Sequence, residues 1–210
     1  MRSRPCGGAG CDRPRGRSRR NLTGVNRILP SAALAGLTAC AIQPAVPVDG
    51  LERMLASHDS ATAALEQWCQ QQGLANPAQV VAEQAAGQLV GEPTDLRALL
   101  GISRDEKLRS RHVRLTCGGR LLSRAQNWYV PARLTPEMNE ELGRTTTPFG
   151  KVAAPLGFRR ELIETRRGPG PDCPQDTVLF QRALLRLPDG RPLAHVLECY
   201  AVSALAPASR

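Results

Sequence analysis

The sequence predicts an α+β domain, an antiparallel β-sheet of about five or six strands with helices packed on it. Three observations predict it. Segments of period-two alternation recur over 107–117, 121–130, 157–167, 177–187 and 196–202. Glycine turns, Gly118-Gly119 and Asp189-Gly190, sit between segments that would pair as hairpins. Helix starts with capping residues, Asp59-Ser60 and Thr135-Pro136-Glu137, lie outside those segments.

Taken in order, Asp59-Ser60-Ala61-Thr62-Ala63-Ala64-Leu65-Glu66 opens a helix in which Leu65, Trp68 and Cys69 share a face, and Gly73 stops it. Val80-Val81-Ala82 reads as a strand, and Pro93-Thr94-Asp95-Leu96 starts a short helix that ends near Gly101. The chain then alternates up to Cys117, turns at Gly118-Gly119 and returns from Leu121 to Val130. Thr135 supplies a capping hydroxyl to the next helix, with Pro136 in its first turn and Glu137 favoured by the helix dipole. A second short helix follows Thr147-Pro148. The run from Gly168 to Asp176 has turn chemistry throughout and no apolar period, which predicts a mobile loop and a candidate lid.

The chain has 210 residues, enough for one domain with a real core plus a tail. Its formal charge of +9 is uneven: residues 1–39 hold eight Arg and one acidic residue, so the remainder is close to balanced. No basic stripe interleaved with aromatics is left there, which argues against a nucleic-acid partner. The apolar stretch from Ile28 to Ala39 is too short to span a bilayer but suits the core of a signal peptide. It ends in Leu37-Thr38-Ala39-Cys40, which resembles a bacterial lipobox and predicts lipidation of Cys40. Residues 1–40 are therefore read as a targeting segment, 41–54 as a flexible linker and 55–205 as the domain. On that reading the protein is an exported bacterial lipoprotein, periplasmic or membrane-anchored, and the lipid on Cys40 is its sole membrane contact; without a functional signal it is cytoplasmic.

Four cysteines remain within the domain, Cys69, Cys117, Cys173 and Cys199. They allow two disulfides in an oxidising compartment, in any of three connectivities. None of their spacings suits a metal, and His58, His112 and His195 are scattered, so no metal site is assigned.

Alternation also exposes the candidate site. It places Arg111 with Val113 and Leu115, and Glu198 with Val196, Tyr200 and Val202. A charge facing a core is costly unless it is paired or meets a ligand. The bland alternative for Arg111 is an ion pair with Glu161 or Glu198; for Arg160 it is a solvated strand position. Trp128 and Tyr129 are expected to support the core. His112 and His195 alternate onto the faces opposite Arg111 and Glu198, which argues against a catalytic histidine.

Taken in order, these pieces resemble the chorismate lyase family, whose fold is shared with the effector-sensing domains of many bacterial transcription regulators. The matching residues are Asp59-Ser60-x-Thr62, Arg111, Tyr129-Val130-Pro131, Thr147-Pro148-Phe149-Gly150, Arg160-Glu161-Leu162-Ile163-Glu164, and Gly190-Arg191-Pro192-Leu193 leading to Glu198. The resemblance implies a cofactor-independent lyase that converts chorismate, or a close relative, to 4-hydroxybenzoate and pyruvate. It implies that Arg111 anchors a substrate carboxylate and Glu198 bonds the ring oxygen, as the catalytic pair. Ala61, Asn127, Phe149, Gly150 and Arg160 would line the ligand site, with backbone amides near Phe149-Gly150 adding carboxylate contacts. Ala61 stands where the family has a bulkier residue, and Asn127 where well-known members have arginine. Chorismate is cytosolic, so an exported chain would instead be a non-catalytic lipoprotein binding a small aromatic or carboxylated ligand in the same pocket. A regulator's sensing domain ranks third, since no DNA-binding helix pair is read ahead of the domain.

Overall fold

A computed structural model describes residues 47–170 and 172–205. The proposed targeting segment and Cys40 lie outside the described residues.

Six strands form one antiparallel sheet in the order β1-β2-β3-β6-β5-β4. They are β1 (Val80–Gln84), β2 (Arg109–Cys117), β3 (Arg120–Tyr129), β4 (Arg159–Arg167), β5 (Thr177–Arg186) and β6 (Pro192–Ala201). The β2/β3 hairpin turns on Gly118 and Gly119, both at positive φ where a side chain would be strained, as its sequence predicts. The last hairpin turns on Gly190 in the same region of backbone space.

The helices are α1 (Val48–Ala56), α2 (Ala61–Gln71), α3 (Leu96–Leu100), α4 (Pro136–Arg144) and α5 (Phe149–Val152). Ser60 caps α2 by accepting from Ala63 N, and Thr135 caps α4 by accepting from Met138 N. On the front face of the sheet, α1 and α2 bury Leu51, Leu55, Leu65 and Trp68 against Val80, Val113, Leu115 and Tyr200. Beside them α4 and α5 pack Leu142, Phe149 and Val152 on Tyr129, Ala183, Leu185 and Val196. The back face carries a third cluster, in which α3 covers Trp128, Phe180, Leu184, Leu197 and Cys199.

Two expectations change here. Helix α1 occupies part of the stretch read as a flexible linker; Leu51 and Leu55 lie one turn apart and are both buried in the front core. The 168–176 loop is not a lid over the front face. Cys173 is bonded to Cys199, whose side chain faces the back, and Gly170 packs so closely on the Phe180 ring that a Cβ there would lie 2.7 Å from it. The second disulfide joins Cys69 of α2 to Cys117 at the end of β2, which selects one connectivity from three.

Candidate functional site

The site lies on the front face, where α2 and α5 both begin. The cavity between them is narrow, with a volume of about 30 Å³. Its floor is the sheet, with Val113 and Leu115 from β2, Ala125 and Asn127 from β3, Leu185 from β5, and Val196 and Glu198 from β6. The register explains the choice: Val113 is opposite Ala125, Ala125 opposite Glu198, and Glu198 opposite Gln181, so a transverse row of front-facing side chains crosses four strands.

The two helix starts close one end. Ser60, Ala61 and Thr62 come from α2, and Pro148, Phe149 and Gly150 from α5. The first N–H groups of a helix have no intrahelical acceptor, which applies to Ala61, Thr62, Phe149 and Gly150, all in the cavity wall. These starts touch. A Cβ on Gly150 would lie 2.6 Å from Ser60 Oγ and 2.9 Å from Thr62 Oγ1, so the position requires glycine for close approach. Phe149 is anchored behind this contact by Tyr129, with ring centroids 5.4 Å apart.

The charged groups are arranged differently from expectation. Glu198 is buried and bound to Arg160, with Nη2 to Oε2 at 2.5 Å and the two side chains 5% and 6% exposed. The same Nη2 donates to Gln181 Oε1 at 3.1 Å, and Gln181 Nε2 reaches Thr165 Oγ1 at 3.4 Å. Arg160 is therefore a buried member of the site, not a solvated strand residue. Burial opposes its charge, yet the facing Glu198 carboxylate, with Tyr200 adding to it, raises the guanidinium above its ordinary value. Tyr200, fully buried below, is raised well above the usual phenol range by burial and by Glu198, against the pull of Arg160. Its hydroxyl lies near Glu198 without making a hydrogen bond of good geometry.

Arg111 has neither of the ion pairs weighed for it. Glu161 pairs with Arg186, and Glu198 is taken by Arg160. The Arg111 side chain turns instead to the segment that leads into α5, with Nη1 3.4 Å from Thr147 O and Nη2 3.5 Å from Thr145 O. Its Nε is buried without an acceptor, and burial lowers the guanidinium below its ordinary value, with Tyr129 acting the other way. Arg111 sits beside the cavity rather than in its wall: Asn127, opposite it on β3, and Pro148, after the carbonyl it reaches, both line the space. Ala61, Asn127, Phe149, Gly150 and Arg160 all line the cavity together with Glu198. Gln181 was missed by sequence reasoning; its signal was an amide on a strand of front-facing Leu179, Ala183 and Leu185.

The back face of the same strand shows a contrasting residue. His195 is fully buried against Trp128, with ring centroids 5.5 Å apart and neither ring nitrogen partnered. Burial, with Arg182 adding and Asp95 opposing, lowers its pKa to about 4.

This architecture is the chorismate lyase-like fold, shared with PhnF from Mycobacterium smegmatis. Among solved structures, PhnF from Mycobacterium smegmatis aligns at TM-score 0.51 with 13% identity, over 73% of this chain and 68% of that one. The ligand-binding domain of a Bordetella bronchiseptica protein assigned to the GntR family aligns at TM-score 0.41 with 14% identity, over 58% of this chain and 81% of that one. The chain spans 62% of the length of YydK from Bacillus subtilis, at TM-score 0.43 and 13% identity. No protein-family model matches the sequence. The chain belongs to the same family as the uncharacterized protein y4mC of Sinorhizobium fredii (strain NBRC 101917 / NGR234), with 35% identity over 195 residues covering 84% of this chain and 80% of y4mC.

Proposed function

We propose that this domain binds a small carboxylated organic molecule in the front-face cavity and does not convert it. The observation that carries the reading is the meeting of two helix starts in one cavity wall, which offers the amides of Ala61, Thr62, Phe149 and Gly150 to an anionic oxygen. Arg111, buried beside that wall without a carboxylate among the described residues, adds a cation that a ligand would compensate. Val113, Leu115, Ala125, Phe158 and Leu185 supply apolar walls for a flat or compact carbon skeleton.

The lyase reading of the same cavity draws on the family's order of motifs and on Glu198 in the wall. Against it stands the Arg160 partner. Glu198 Oε2 is already engaged by Arg160, so the carboxylate that the lyase reading needs at the ring oxygen is held by a protein partner. The full chain, titrated with benzoate by calorimetry and incubated with chorismate while 4-hydroxybenzoate and pyruvate are followed, separates the readings. Binding that weakens about tenfold in Arg111→Gln, without turnover, is expected. Turnover lost in Glu198→Gln would replace binding with catalysis.

Work in an oxidising compartment is part of the proposal, supported by two disulfides formed from the four domain cysteines. Alkylation of the native protein under non-reducing conditions, followed by mass spectrometry, tests it; the expectation is that all four of those thiols are protected. The same spectra of membrane fractions test lipidation at Cys40.

A further inference from the structure

The way Arg160 is held leaves most of its donor capacity unused. Both of its side-chain hydrogen bonds come from Nη2, one to Glu198 Oε2 and one to Gln181 Oε1. A guanidinium has five N–H donors, so the donor on Nε and the two on Nη1 are without a protein acceptor. The two nitrogens differ in access. Nε is sealed from solvent, whereas Nη1 is not among the buried unpartnered atoms, and Arg160 lines the cavity. Gln181 is 2% exposed, sits opposite Glu198 across β5 and β6, and accepts from Arg160 while reaching Thr165. Two fixed acceptors on one nitrogen lock the plane of the guanidinium and aim its remaining edge.

The buried charged side chains of the front-face site are Arg111, Arg160 and Glu198. The exposed Asp59, just before α2, accepts from Arg160 N and offsets the partial charge of that helix start.

We propose that Arg160, held by Glu198 and positioned by Gln181, presents Nη1 to the cavity as the receptor for a second ligand carboxylate, so that the pocket takes a small dicarboxylate in preference to the matching monocarboxylate. One carboxylate meets the helix starts near Gly150, with Arg111 behind the wall; the other meets Arg160. Glu198 then serves the ligand indirectly, as the group that keeps Arg160 in place. The inference rests on the carboxylate-binding reading above and goes further by assigning the second receptor and its positioning residue.

The test is calorimetric titration of the full chain with isophthalate and with benzoate at matched ionic strength. Isophthalate is expected to bind at least about tenfold more tightly, the size of a hydrogen bond to a charged group. Arg160→Gln and Arg160→Lys should each abolish that preference, so that isophthalate binds no more tightly than benzoate to the same variant. The lysine variant keeps a cation beside Glu198 if the glutamine variant fails to fold. Gln181→Leu should reduce the preference with Arg160 still present, which a purely structural role would not do. Equal affinities in the unaltered protein, or a preference that survives in both Arg160 variants, overturns the inference and leaves carboxylate binding intact. Binding of neither compound overturns both.

Discussion

The two faces of β6 treat ionisable side chains in opposite ways. On the front, Glu198 is held in a buried ion pair with Arg160 in the wall of a largely apolar cavity. On the back, three residues earlier, His195 is enclosed by Trp128 and the apolar cover of α3, and loses its charge instead. Burial is nearly the same at both positions, so burial alone does not decide ionisation. What decides it is whether a counter-charge is supplied with the residue. The front face places an ion pair at the proposed ligand site, and the back face uses neutral packing.

The largest expected effect breaks the front side of this comparison. Glu198→Ala leaves Arg160 buried without its carboxylate and should cost about 3–5 kcal/mol in urea unfolding. Replacing both partners with Leu and Met should cost much less than the single change, because no charge is left stranded. The back face has its own large term. Cys173→Ala with Cys199→Ala opens a crosslink across a sequence separation of 26, for which chain entropy gives about 3.5 kcal/mol. Carboxylate affinity, measured by the same titration, should change little in any folded fraction, since the crosslink lies behind the sheet.

His195 sharpens the contrast through pH. Its folded pKa, about 4, lies below the ordinary value of 6.5, so the unfolded chain binds more protons between those limits. Its contribution is fully present above about pH 6.5 and is lost as pH falls toward 4, a change of at most about 3 kcal/mol. His195→Leu should flatten that part of the stability profile measured by urea unfolding between pH 4 and 7. A profile unchanged by the substitution would mean that His195 titrates alike in the folded and the unfolded chain.

The asymmetry between the faces also explains what could be read from the sequence. Period-two alternation is local, and it placed Arg111 and Glu198 on the front and His112 and His195 on the back without any knowledge of strand order. The hairpin turns and the caps of α2 and α4 are equally local. Arg160 was harder: β4 is an edge strand exposed along most of its length, with a register shift between Leu162 and Glu164 that breaks its alternation. Its partner Glu198 lies 38 residues away and two strands across, a relation fixed only by the strand order. Gln181 carries no charge to mark it. The lid expectation failed because turn composition says that a segment is irregular, while the crosslink to Cys199 depends on tertiary placement. Helix α1, by contrast, was legible in the spacing of Val48, Leu51 and Leu55, which the neighbouring prolines and alanines obscured.

The smallest effect compares two helix caps that are alike in chemistry and differ in place. Ser60 and Thr135 each accept a hydrogen bond from the backbone N–H three residues on, at 3.3 and 3.2 Å. Loss of either hydroxyl should cost about 1 kcal/mol of stability. Only Ser60 also stands in the cavity wall, against the backbone of Gly150. Ser60→Ala frees the start of α2 to fray at the point where it meets α5, so the amides lose their fixed spacing. Thr135→Ala frays a helix whose start is outside the wall. Equal losses of stability, with carboxylate affinity falling a few-fold in Ser60→Ala alone, would tie ligand binding to the junction of the two helix starts. Equal losses of affinity would instead assign it to general stability, and would remove the front face's claim to be organised around that junction.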